Sequence, residues 1–290
     1  MKDYNSELNL TSSEIVSTHV EGYKTRENAG MNMILQMRKA GMLDALSGKR
    51  HLFGGDISGI GITYAQKFFQ LIENSNINVE TLYFLNLSLM YSEVGLGVKL
   101  EDFKKNQLND LEIHRFKKYF SEFACLLLWA ILMNNQNLAI KLKNNLEFCL
   151  IQKTILKSFP LDFEYFSLWL FYRWQSSNTE TGLFIKGFFK DLIDQWDAPA
   201  IKLESIICKI CDYHCLENFD NDSRKFPPKF LNPPFTLLPL EIHVINKLRL
   251  VEGLEKINAN HPLMNTNIAK IRDFQIIEDD LLEQIEISLF

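Results

Sequence analysis

Residues 123–133 read FACLLLWAILM, eleven apolar residues without a charge or an amide among them. A helix that is apolar on every side has no face for water, so it must lie inside other helices or in lipid. At helical rise the run reaches about 16 Å, roughly half of a bilayer's hydrocarbon thickness. The chain is therefore expected to be all-α, an irregular multi-helix bundle of antiparallel helix pairs around a buried central helix over about 111–133. Leu111, Phe116, Tyr119 and Phe120 mark one side of the approach to that helix.

With 47% hydrophobic and 12% aromatic residues, the 290-residue chain has ample material for such a core. Disorder is excluded for most of its length. The expected organisation is a polar arm over 1–27 and one helical domain over 28–290, with a sub-boundary near 153–160. Thirty-one basic against thirty-six acidic residues leave a net charge of −5, which disfavours a nucleic-acid binder and suits a basic partner. The opening, MKDYNSELNLTSSEI, has neither a positive n-region nor an apolar h-region, so it does not read as a signal peptide. Five cysteines do not form a secreted disulfide framework. These features together place the chain in the cytoplasm, without stable membrane insertion.

The helical pattern continues on both sides of the central run. Met33, Leu35, Met37, Leu43 and Leu46 fall partly in register over 28–46. They read as core, because Met in a helix usually fills gaps, although a Met-rich face also suits an adaptable partner surface. Tyr64, Phe68, Leu71 and Ile72 share one face. Asn78 is placed as the N-cap of the next helix, with Gly95 and Gly97 as its stop and 98–110 as a surface connection. Asn109 or Asp110 should open the longest helix, which Asn134-Asn135-Gln136-Asn137 breaks. Leu138, Leu142, Leu146, Cys149 and Leu150 mark a helix ending before Pro160. Seven aromatics over 161–174 have only Arg173 among them; stacking on single-stranded nucleic acid needs more positive charge, so the stretch reads as a second core helix. A further helix is expected over 183–196.

Four stretches invite chemistry. The glycine cluster GGDISGIG at 54–61 precedes a helix, and helix amides hold phosphates. It lacks the Gly-Lys-Ser/Thr of a Walker loop, the strand before a dinucleotide fold and the spacing of a nucleophile elbow. The alternative is a tight loop that lets a helix approach its neighbour. Cys208-x-x-Cys211-x-x-His214-Cys215 has a metal-like spacing. On one helix, however, Cys208 and Cys215 stand about 10 Å apart along the axis. Thiolates sharing a zinc ion with bonds of about 2.3 Å lie under about 4 Å from one another. The expectation is a small apolar stripe and no metal. Glu241 and His243 suggest acid/base partners, but residues two apart on a helix point about 200° apart. The tail places Glu278, Asp279, Asp280 and Glu283 among Leu281, Leu282 and Ile285, an acidic face that is either simply solvated or a dock for a basic partner. These four are the candidate partner-binding residues; no catalytic, cofactor or metal residue is assigned.

Five of the eight prolines, 227, 228, 233, 234 and 239, lie within thirteen residues of a polar stretch over 217–239. Proline lacks an amide donor and restrains its predecessor, so this segment is expected to be an extended crossing, a surface arm or a linker. Pro239 then suits a first helical turn and Gly253 a helix end.

The block 235–253, FTLLPLEIHVINKLRLVEG, followed by Asn260-His261-Pro262-Leu263-Met264, resembles the end of the immunity 49 family of bacterial polymorphic-toxin systems. The helical region ending near Asp212-Tyr213-His214 and the polar loop after it resemble that family too. The likeness is closest over 200–265 and looser over 60–270. It implies a non-enzymatic cytoplasmic protein, without a cofactor, that neutralises a cognate toxin or effector by direct stoichiometric binding. It supplies no catalytic residue. Two other readings remain open. One is an enzyme, metal-dependent or otherwise, whose site gathers dispersed carboxylates with His19, His51, His114, His214, His243 and His261. The other is a helical scaffold with several partners.

Overall fold

The computed structural model describes residues 10–24, 28–49, 51, 53–74, 77–105, 113, 116–151, 159–177, 184–220, 224 and 226–289. Twelve α-helices carry the described chain, with no strand among the described residues. They are α1 (Ser12–Lys24), α2 (Asn28–Leu46), α3 (Gly54–Asn74), α4 (Val79–Lys105), α5 (Phe120–Leu132), α6 (Gln136–Ile151), α7 (Asp162–Trp174), α8 (Gly187–Asp194), α9 (Ala200–Leu216), α10 (Leu240–Val251), α11 (Pro262–Asn265) and α12 (Asp280–Leu289). No helix among the described residues is long and apolar enough to cross a membrane. The chain forms two compact units, Met1–Thr18 with Ile113–Arg272, and His19–Glu112 with Asp273–Phe290. The boundaries of these units fall at 18/19, within α1, at 112/113 and at 272/273.

In the first unit, α5 is the expected central helix: every residue from Phe120 to Ile131 is buried. Its approach differs from expectation. A 3-10 turn, Lys117–Tyr119, leads into it, and the anticipated start at 109 or 110 lies outside the described residues. Asn134 ends it in the left-handed region, at φ 56°. Asn135 and Asn134 then donate their amides to the carbonyls of Ala130 and Ile131, the paired bonds that close a helix C-terminus. Lys247 of α10 adds its ammonium to the Ile131 and Leu132 carbonyls at 2.7 and 2.8 Å. The aromatic stretch is α7, with Phe163, Phe166 and Phe171 in the core and Phe166 stacked on Phe189 of α8 at 4.6 Å. The helix expected over 183–196 is shorter, Gly187–Asp194, and 178–183 lie outside the described residues.

The proline-rich segment is neither an arm nor a loose linker. Phe230, Phe235, Thr236, Leu237 and Leu238 are buried, and each polar end finds a partner on a helix. Asn232 donates to Glu122 of α5 at 2.6 Å. The Lys229 ammonium meets both oxygens of the buried Glu164 carboxylate of α7 at 2.6 and 2.8 Å. Asn218 donates to the Thr236 carbonyl at 2.7 Å. A proline-rich stretch has few amides to satisfy, so it can be buried once side chains serve its carbonyls.

In the second unit, α3 and α4 run antiparallel at very close range. A Cβ on Gly54 would stand 2.5 Å from the Gly95 carbonyl oxygen, and one on Gly61 would stand 2.9 Å from that of Ser88. The glycine cluster is therefore the first turns of α3, not a loop. Gly95 does not end α4 but lets Ser58 lie against it, its missing Cβ falling 2.5 Å from Ser58 Oγ. The helix runs on to Lys105, burying Val98, Leu100 and Phe103 of the supposed surface connection. Asn78 caps α4 as expected, its Oδ1 accepting the Thr81 amide at 2.9 Å.

On α2 the core residues are Met31, Leu35 and Met42, while Met33, Met37 and Leu43 point outward, Met33 and Met37 at 60% and 65% exposure. The spacing of 31, 35 and 42 puts them on one side, and 33 and 37 fall opposite. Leu282 and Ile285 of α12 complete this core with Leu35, Met42, Ile57, Ile60 and Tyr91.

Candidate functional site

The four acidic residues of the tail do not act alike. Extended backbone leads into α12 along α4: the Gln275 amide donates to Asn86 Oδ1 at 3.1 Å, and the Ile277 amide to Met90 Sδ at 3.3 Å. Alternate residues of an extended segment face one way, so Asp279 turns to α4 as well, where its Oδ1 accepts from Tyr91 Oη at 2.6 Å. The same oxygen accepts the Leu282 amide at 3.0 Å, which makes Asp279 the N-cap of α12. Burial, then the Asp279 hydrogen bond, push the Tyr91 phenol far above its ordinary range. Glu278, Asp280 and Glu283 are exposed. Among the described residues no hydrogen bond or ion pair engages their carboxylates. One of the four candidates is thus a structural cap, and three form an open acidic edge beside Leu282 and Ile285.

The metal-like spacing resolves into a buried hydrogen-bonded lock. Cys208, Cys211 and Cys215 are free thiols on α9. Burial pushes the Cys211 thiol far up and, as the largest cause, that of Cys215 up to about 12. His214, fully buried, turns from them to the proline-rich segment and α10. Its Nε2 lies 3.0 Å from the Phe235 carbonyl and 3.3 Å from that of Thr236, and its Nδ1 2.8 Å from Glu241 Oε1. Carbonyls only accept, so Nε2 donates, and a proton lies between Nδ1 and the carboxylate. Phe230 stacks flat on the ring at 4.1 Å.

A serine, a histidine and an aspartate also meet, though not as a nucleophilic set. Ser12 Oγ donates to Asp212 Oδ1 at 2.6 Å, and His261 Nε2 stands 3.0 Å from the same oxygen. His261 Nδ1 accepts the Leu263 amide at 3.2 Å and caps α11. The imidazole therefore donates to Asp212 through Nε2 and has no lone pair left to activate Ser12, as a general base would require. The only sign of this role in the sequence is Pro262 after His261, a proline at the first helical position.

Within each unit, the remaining described histidines have neighbours of their own. Glu241 and His243 point apart as the helical spacing required, Glu241 to His214 and His243 to Arg272 at 2.9 Å. His51 is exposed against Phe53, His19 lies near Tyr23, and His114 lies outside the described residues. Among the described residues no group of three or more His, Cys, Asp or Glu is arranged to hold a metal ion.

Polar residues of the stretch 235–253 serve the fold. Asn246 pairs with Ile257 through both its amide groups, at 2.8 and 3.2 Å. Arg249 donates to the Ala198 carbonyl at 3.0 Å, to that of Glu255 at 2.9 Å and to that of Trp196. With Glu241, His243 and Lys247, they make α10 the helix on which neighbouring turns are closed. Comparison of the chain with family models, with curated proteins and with solved structures gives no match.

Proposed function

We propose that this chain is an immunity-type protein that neutralises a cognate bacterial toxin or effector by direct stoichiometric binding, without turnover of its own. The observation that carries the reading is the open edge of α12: Glu278, Asp280 and Glu283 face solvent while Asp279 fixes the helix that presents them. In the same unit α2 turns Met33, Ile34 and Met37 outward, and flexible Met side chains adapt to a partner's contour. Apolar anchors and a polar surround are the ingredients of a protein interface, for which a stable complex needs about 1,200–2,000 Å² of buried surface. The net charge of −5 suits a basic partner. The likeness of 235–253 and 260–264 to the immunity 49 family supports the same reading.

The test is co-expression with the product of the adjacent gene. Cells should survive that product only when this chain is present, and the two should co-purify in a fixed ratio. Failure of both protection and co-purification would sink the proposal.

A further inference from the structure

His243 and Arg272 meet in a way that fixes the charge of the imidazole. Arg272 Nη1 lies 2.9 Å from His243 Nε2. A guanidinium only donates, so Nε2 must keep its lone pair and the neutral ring must carry its hydrogen on Nδ1. That Nδ1 is buried and meets no partner. The same Arg272 nitrogen reaches the carbonyls of Ala269 and Ile271 at 2.6 and 2.7 Å. The guanidinium thus ties the 3-10 turn Ile268–Lys270, with its buried Ile268, Ala269 and Ile271, to α10. An imidazolium has nothing with which to accept this bond, and it would set a second cation against the first.

We propose that the His243–Arg272 hydrogen bond is an acid-sensitive latch: proton uptake at Nε2 breaks it and releases Arg272 and the turn Ile268–Lys270 from α10.

The surroundings favour this response. Burial first, then Arg272, Lys256 and His214, hold the His243 imidazole well below its ordinary range. These basic groups come from the turn, from the stretch after α10 and from α9. On α10 itself Glu241 is engaged by His214. On α5 and α7 the Glu122 and Glu164 carboxylates are engaged by Asn232 and Lys229. A histidine freed from this setting takes up its proton near its ordinary value of about 6.5. The latch is therefore complete above that pH and weakens as pH falls below it.

Hydrogen exchange on the full chain tests the latch, with amide rates over 268–272 corrected for their intrinsic pH dependence. Between about pH 7.5 and about pH 5 the wild-type segment should lose protection by about tenfold or more, since linkage to a group titrating near 6.5 allows about thirtyfold. His243→Gln offers Arg272 an amide oxygen that does not titrate and should keep equal protection at both values. Wild-type protection unchanged by acid, or an equal acid loss in His243→Gln, would overturn the proposal. If that variant does not fold, the wild type still decides. Proton uptake by the His243 ring in the folded chain, followed by NMR, should have its midpoint below that of a free imidazole; a midpoint at or above about 6.5 overturns the latch.

Discussion

Single charged residues hold the proline-rich segment in place, and their removal should show it. Lys229 and Glu164 are both buried, at 5% and 0% exposure. Burial pushes the Glu164 carboxyl upward, and Lys229 draws it back. Lys229→Met strands a buried carboxylate and should cost about 3–5 kcal/mol, whereas the double variant with Glu164→Leu should cost much less. Urea unfolding of the two variants measures the difference. Asp212 gives a pH signature. The His261 hydrogen bond, with that of Ser12, holds its carboxyl below the usual range against some burial. Its stabilising contribution is therefore full above the ordinary carboxylate value and is lost as pH falls through the lower folded value. Asp212→Asn should flatten that part of the acid unfolding profile. None of these pairings was legible in the sequence. Lys229 sits 65 positions from its partner, in a stretch whose prolines and charges look solvent-facing. His214 stood in a metal-like spacing, because residue type and interval do not reveal which way a helix turns.

At the scale of elements, apolar periodicity was the reliable signal and glycine the misleading one. The run at 123–133 announced α5, and the aromatic run at 161–174 announced α7, because a face without polar groups has only one place to go. Glycine has two opposite uses, ending a helix or letting one press on another, and sequence alone does not choose between them. Two neighbours on α4 separate these uses experimentally. Gly95→Ala places a methyl 2.5 Å from Ser58 Oγ and 2.6 Å from the Ser58 amide nitrogen. Forcing α3 from α4 in this way should cost about 1–3 kcal/mol or more. A Cβ on Gly97 meets nothing within 4 Å, so Gly97→Ala should stabilise the helix by about 0.5–1 kcal/mol. Thermal melts of the two variants should shift in opposite directions; a shift of the same sign would refute the close-approach explanation. The tail illustrates the limits of the candidate site. Its acidic face was readable, but the division of labour within it was not, since Asp279 is set apart only by the extended backbone that aims it at Tyr91.

For the molecule as a whole, the proposed binding role predicts that the two kinds of tail acid behave differently. Asp280→Lys together with Glu283→Lys should weaken capture of the adjacent gene's product, each reversal opposing a basic surface, while leaving the unfolding free energy within about 0.5 kcal/mol of wild type. Asp279→Ala removes a helix cap and a phenol partner, and should lower stability by about 1–2 kcal/mol. Calorimetric titration with the purified partner beside thermal unfolding distinguishes the two. The all-α class was legible because helical stripes recur from end to end. The interleaving of the units was not, because an apolar stripe says that it will be covered and not by which part of the chain. That interleaving has a consequence for biosynthesis. Leu282 and Ile285, which finish the core begun by Leu35, Ile57 and Tyr91, are made only after the whole of the intervening stretch Ile113–Arg272 of the other unit. Every newly made copy thus spends that interval of its translation with the core uncovered, a period in which a chaperone has work to do.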